Sequence, residues 1–205
     1  RRKPGVIIIP TGTELIHRKD VMDPGHLGKN QIIESNSVIL SGLVREAHGK
    51  PTVFDITPDN ETDIRDALLR AIDSDPDLVI INAGSSAGSK DYTADIIGEI
   101  GEILVHGVAM MPGKPTILGT VNGKPVIGIP GYAVSAIMSF EQFAKPLLFG
   151  LQRLAPPKDR SAVVKPSMNI TSRLGIEEFI RINIGKVGDR LTATPLPRSA
   201  GSVTT

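Results

Sequence analysis

From residue 6 to about residue 149, short and wholly apolar runs alternate with segments of helical period. Val6-Ile7-Ile8-Ile9 and Leu78-Val79-Ile80-Ile81 contain no polar residue. Runs that are apolar on both faces fit the strands of a parallel sheet covered on either side, not half-solvated antiparallel strands. The segment from Glu61 to Ile72 sets Ile64, Ala67, Leu68 and Ile72 on one face of a helix. A second helix is expected over 37–48, with Ser35, Asn36 or Ser37 as N-cap and Gly49 as its stop. A strand is expected over 53–56, a turn at Asp75-Pro76-Asp77 and a short helix over 92–100. Two short strands near 102–108 and 125–129 and a long helix over 133–148 complete the series. Strands that alternate with helices predict an α/β fold: three layers, a mostly parallel sheet with helices on both faces, and right-handed crossovers, over residues 5–150.

The pattern changes after Gly150. Ala155-Pro156-Pro157-Lys158 has the composition of a linker. Alternating segments at Ala162-Val163-Val164, over 179–184 and at Leu191-Thr192-Ala193-Thr194 follow, with Gly188-Asp189-Arg190 as a turn between the last two. Residues 151–205 therefore predict a small all-β domain built from hairpins. The chain opens almost directly on a strand, and its end, Arg198 to Thr205, stops without closing an element, which reads as a fragment of a longer protein.

Composition narrows the partners. A net charge of +1 gives no field for nucleic acid or an anionic membrane. Aromatic residues make up 3% of the chain and tryptophan is absent, so a base-stacking platform is not expected. Without cysteine, neither disulfides nor thiolate metal sites can form. No apolar run is long enough to span a bilayer. A soluble cytoplasmic protein with a small-molecule substrate is the expectation. His17, His26, His48 and His106 have no metal-ligand spacing.

The chemistry gathers where strands end. In an open parallel sheet, ligands sit at the carboxyl ends of strands. Ala83-Gly84-Ser85-Ser86-Ala87-Gly88-Ser89-Lys90-Asp91-Tyr92 follows an apolar strand and opens a helix, so its backbone N–H groups and the hydroxyls of Ser85, Ser86 and Ser89 can face an anion. A plain strand-to-helix connection fits the same residues. The spacing matches neither a P-loop nor a dinucleotide fingerprint. Thr11-Gly12-Thr13-Glu14 follows the first strand, where Glu14 could ligate a metal or cap the next element. Asp59, in Thr57-Pro58-Asp59-Asn60-Glu61, could serve the site or N-cap the following helix. With Asp91 these make three carboxylates at strand ends, a hard oxygen set suited to Mg²⁺ and through it to phosphate. Lys114 is held in a stiff turn, Pro112-Gly113-Lys114-Pro115. Pro130-Gly131-Tyr132-Ala133-Val134-Ser135 again links a strand to a helix start.

Taken in order, Thr11-Gly12-Thr13-Glu14-Leu15, Glu34-Ser35-Asn36, Gly84 to Tyr92, Pro112-Gly113-Lys114-Pro115 and Pro130-Gly131 resemble the MoeA-like molybdopterin molybdenumtransferases, which include the C-terminal part of gephyrin. Gly175-Ile176-Glu177-Glu178-Phe179 and Thr194-Pro195-Leu196-Pro197 are similar to the C-terminal domain of that family. The resemblance implies the fold of the MogA-like molybdopterin-binding proteins. It also implies insertion of molybdate into adenylylated molybdopterin with release of AMP and Mg²⁺ present, and a homodimer. It implies active-site roles for Glu14, Asp59 and Asp91, with Glu14 and Asp91 on the metal. Ligand contacts are implied for Thr11, Gly12, Gly84, Ser85, Ser86, Gly88, Ser89, Lys114, Pro130, Gly131 and Ser135. The chain departs from the family at Thr13, where an acid is usual, at Ala83, where a glycine is usual, and at Tyr132-Ala133, where Asn-Pro is common. Two other functions share this fold: molybdopterin adenylylation, and cofactor sensing or scaffolding without turnover.

Overall fold

The computed structural model describes residues 2–21, 27–28, 30–82, 92–158 and 160–198. In chain order its elements begin with β1 (Gly5–Pro10), β2 (Leu15–Ile16), β3 (Ile32–Ile33), α1 (Asn36–Glu46), β4 (Lys50–Val53), α2 (Glu61–Asp73) and β5 (Leu78–Asn82). They continue with α3 (Tyr92–Ile100), β6 (Glu102–His106), β7 (Met110–Met111), β8 (Ile117–Val121), β9 (Lys124–Ile129), α4 (Ala133–Ser139) and α5 (Lys145–Leu151). The last strands are β10 (Lys165–Pro166), β11 (Glu177–Glu178), β12 (Ile182–Val187) and β13 (Arg190–Pro195).

β1 and β5, the apolar runs, lie side by side and parallel, with Ile8 opposite Ile80. They sit inside a six-stranded sheet of order β4-β1-β5-β9-β8-β6. Because successive strand residues face opposite sides, the runs feed two cores at once. Ile7, Ile9, Val79 and Ile81 pack with Ile64, Ala67, Leu68 and Ile72 of α2 and with Ile96 and Ile97 of α3. Val6, Ile8, Leu78 and Ile80 pack with Leu40 and Val44 of α1 and with Ala136, Phe140 and Leu148 on the other face. Each such buried side chain contributes roughly 1.5–3 kcal/mol of transfer free energy. The expected three-layer α/β architecture is therefore present, and the apolar face read on α2 is the buried one.

Several local expectations are corrected. The second strand is Lys50–Val53, three residues earlier than expected, because β4 pairs with Gly5 to Ile8 of β1 and its register starts at Lys50. The residue that ends α1 in the left-handed region is His48, at φ 61°, and not Gly49. Ser35 holds the N-cap position of α1 without a side-chain bond. Glu34 does the capping instead, accepting from the Ser37 N–H at 2.7 Å. The long helix is interrupted by a π-helical turn at Phe140–Ala144 and runs on to Leu151. β8 was not expected. It joins β9 through Asn122-Gly123, at φ 50° and 73°, and pairs antiparallel with both β9 and β6.

Beyond residue 158, β12 and β13 form the expected hairpin across Gly188-Asp189. The strand expected at Ala162-Val163-Val164 lies later, at β10, and the one expected over 179–184 is shifted to β12. β10, β13 and β12 make a sheet of their own. β11 leaves that region and pairs with β7, Glu177 opposite Met110. No helix among the described residues is long and apolar enough to cross a membrane.

Candidate active site at the carboxyl edge

β4, β1, β5 and β9 run parallel, so residues 54–59, 11–14 and 130–135 leave the sheet on one edge. β6 and β8 are antiparallel to each other, with His106 opposite Ile117. The loop between them, residues 107–116, therefore lies at the same edge. Topology thus gathers the described strand-end segments singled out from the sequence, with the end of β5 in the middle. The loop that follows β5, with Gly84, Ser85, Ser86, Gly88, Ser89 and Asp91, lies outside the described residues.

On one flank, the loops after β1 and β4 are stitched together. Gly12 N–H donates to the Thr57 carbonyl at 3.0 Å, and Thr57 N–H to the Pro10 carbonyl at 2.8 Å. Asp59 N–H donates to Thr13 Oγ1 at 3.2 Å. Glu14 and Asp59 therefore stand on adjoining loops, Glu14 half-buried and Asp59 exposed. The Glu14 carboxylate is folded over Gly12, where a Cβ would come within 3.0 Å of Oε2. Thr11 is fully buried and gives its N–H to the Asn82 carbonyl at 2.9 Å. The backbone donors of Thr11 and Gly12 are thus committed to protein carbonyls, and their part is to hold the edge together. The N-cap of α2 is Asn60, which accepts from Asp63 N–H at 3.0 Å, and not Asp59. No group of three or more potential metal-ligating side chains occurs among the described residues.

The other flank carries a cleft of about 320 Å³. Lys114, Pro130 and Ser135 line it together, as expected of the strand-end segments, with Tyr132 and Phe179 as aromatic walls. Gly131 is held from behind, its carbonyl accepting from the Asn36 side-chain amide at 2.6 Å. The cleft also receives Arg181, Glu178 and Arg198, which sequence reading did not single out. They arrive because β11 pairs with β7: Glu177 N–H donates to the Ala109 carbonyl and Phe179 N–H to the Met111 carbonyl, each at 2.8 Å. The signal available in the sequence was a lone cation, Arg181, inside the otherwise apolar run Phe179-Ile180-Arg181-Ile182. Arg181 donates to the Pro197 carbonyl at 3.1 Å. The Glu178 carboxyl is held below its usual range, first by a hydrogen bond from the Ser172 side chain, then by Arg173 N–H and the Arg198 charge. Three cations, Lys114, Arg181 and Arg198, and one carboxylate, Glu178, thus line the cleft with the Ser135 hydroxyl. Arg198 is paired with Glu178 at 3.2 Å, which leaves Lys114 and Arg181 to suit a small anion.

A profile of the family described as "Probable molybdopterin binding domain" matches residues 7–150. The chain is 37% identical over 187 residues to molybdopterin molybdenumtransferase 2 of Mycobacterium tuberculosis, covering 86% of this chain and 44% of that protein. It is 31% identical over 183 residues to the molybdopterin molybdenumtransferase of Haemophilus influenzae, covering 88% of this chain and 43% of that protein. A crystal structure of a molybdopterin biosynthesis MoeA protein from Pyrococcus horikosii superposes with a TM-score of 0.71 at 32% identity, over 96% of this chain and 46% of that one. The chain spans less than half the length of these relatives. Over residues 7–150 the chain belongs to the probable molybdopterin binding domain family.

Proposed function

We propose that this chain carries the molybdate-handling part of a molybdopterin molybdenumtransferase, which inserts molybdate into adenylylated molybdopterin and releases AMP. The observation that supports it best is the cleft itself: Lys114, Ser135 and Arg181 line one pocket at the carboxyl edge. Molybdate is a compact dianion. With the Glu178 carboxylate paired to Arg198, Lys114, Arg181 and a hydroxyl beside apolar walls bind such a group more strongly than the same charges in open water would. The end of β5 separates this cleft from the Glu14 and Asp59 loops. From β1 to β9 is two strand spacings, about 10 Å. A ligand with an anionic tail and a separate reactive end can span that distance.

In this reading the loop 84–89 receives the phosphate of the pterin nucleotide, and Asp91 serves the metal together with Glu14. Mg²⁺ fits the donor set, since it needs only one or two carboxylates and keeps waters that reach phosphate oxygens. Glu14 and Asp91 would hold it, with Asp59 on the loop adjoining that of Glu14, and it would supply charge neutralisation at the phosphates. The chain's own groups do the rest. Lys114 and Arg181 fix the molybdate oxygens, Ser135 donates to one of them, and the apolar walls exclude competing water. We further propose a cytoplasmic homodimer, on the resemblance to the family alone.

Equilibrium dialysis of molybdate against the chain, with molybdenum counted by mass spectrometry, tests this reading. Lys114→Ala and Arg181→Ala should each weaken binding by about tenfold or more, as expected for charge-assisted contacts. Retention of wild-type affinity in both variants would remove the cleft from the mechanism.

A further inference from the structure

Two hydroxyls stand directly behind Lys114, away from solvent. Thr116, just before β8, and Ser139, the last residue of α4, are both fully buried. Their oxygens are 2.7 Å apart. Thr116 Oγ1 is also 2.7 Å from the Gly113 carbonyl oxygen. A carbonyl can only accept, so the single hydroxyl proton of Thr116 goes to Gly113. The proton between the two hydroxyls must then come from Ser139. The result is a directed chain, Ser139 to Thr116 to Gly113.

The turn at its end is held from other sides as well. Thr116 N–H reaches the same Gly113 carbonyl at 3.0 Å, and the Lys114 carbonyl accepts from Val108 N–H at 2.8 Å. Gly113 sits at φ 115°, where an added Cβ would lie 3.2 Å from Ser139 Oγ and 2.2 Å from the end of Met110. The Thr116 amide alone would satisfy the Gly113 carbonyl. Ser139 is flanked in the helix by residues of the apolar core, Ala136 and Phe140, so an alanine would serve packing there equally well. Hydroxyls at these two positions exceed what the fold needs.

We propose that Thr116 and Ser139 are positioning residues for Lys114: the buried Ser139–Thr116–Gly113 relay locks the 112–115 turn so that the Lys114 ammonium is set at the cleft. The inference rests on the cleft being an oxyanion site. A long side chain on a rigid turn loses less freedom on binding than one on a loose loop, so the relay acts through affinity rather than through contact with the ligand.

A double-mutant cycle on the 205-residue chain tests it, with molybdate as the probe and the melting temperature recorded for each variant. Ser139→Ala and Thr116→Val should weaken molybdate binding about fivefold while the protein stays folded, and Thr116→Ser, which keeps the hydroxyl, should stay within about twofold of wild type. In a Lys114→Ala background, Ser139→Ala should cost no further affinity. If Ser139→Ala fails to fold, the Thr116→Val and Thr116→Ser pair decides alone. Unchanged affinity in folded Ser139→Ala and Thr116→Val, or an equal penalty with and without Lys114, overturns the relay and leaves the cleft intact. Unchanged affinity in Lys114→Ala alone overturns the relay; unchanged affinity in both Lys114→Ala and Arg181→Ala, or no molybdate binding by wild type, overturns the cleft reading and the relay with it.

Discussion

The side-chain amide of Asn82 donates to the Pro130 carbonyl at 3.2 Å, with the Ile129 carbonyl at 3.4 Å. The last residue of β5 thereby fixes the turn that opens α4, and with it one wall of the cleft.

Asn82 is buried, and the two carbonyls it faces need a donor. Asn82→Ala should cost about 1–3 kcal/mol by orphaning them. Asn82→Asp should cost more at neutral pH, since it turns a carboxylate toward two carbonyl oxygens. Urea unfolding at pH 7 separates the two. An aspartate variant as stable as wild type would contradict this role for Asn82.

The start of α2 distinguishes two neighbouring residues. Asn60 caps it through Asp63 N–H, so Asn60→Ala should lose about 1 kcal/mol. Asp59→Ala leaves that cap in place. It should instead weaken Mg²⁺-dependent nucleotide binding if Asp59 serves the site. A stability loss in Asp59→Ala equal to that in Asn60→Ala would restore the capping role to Asp59.

The cores and the edge that carries the site were legible because they follow from period alone. Four-residue apolar runs such as Val6 to Ile9, bounded by turn signals, fit doubly covered strands, and the spacing of Ile64, Ala67, Leu68 and Ile72 marked the inner face of α2. β8 was missed although Asn122-Gly123 is a strong hairpin signal, because its polar Thr120 and flanking glycines made it read as loop. Arg181 was legible only as a lone cation in an apolar run, not as a residue of the cleft. It reaches the cleft through the pairing of Glu177 with Met110, 67 residues apart in the sequence, and no local pattern encodes a contact of that range. The shift of β4 has the same origin: its register is set by β1, not by its own hydrophobicity.

Asn122 and Gly123 both have positive φ. Gly123→Ala should therefore destabilise the β8–β9 hairpin by about 1 kcal/mol, although nothing lies within 4 Å of an added Cβ. A neutral or stabilising effect in thermal unfolding would show that the turn relaxes freely.

Glu178 sets an acid-side pH dependence. Its folded carboxyl titrates below the usual range, with Ser172, Arg173 N–H and Arg198 as the causes in that order. A depressed folded pKa contributes stability that is fully present above the ordinary glutamate value of about 4.3 and is lost as pH falls through the folded pKa. Glu178→Gln should lower the melting temperature at pH 7 and flatten its fall below about pH 4. A parallel fall in both proteins would contradict the shift.

The most direct test of the cleft is anomalous diffraction from crystals soaked in molybdate at the molybdenum edge. A peak between Lys114 and Arg181, within hydrogen-bond reach of Ser135 and absent from Lys114→Ala crystals, is the expected result. A peak only at the Glu14 and Asp59 loops, or none in the cleft when molybdate binds in solution, would contradict it.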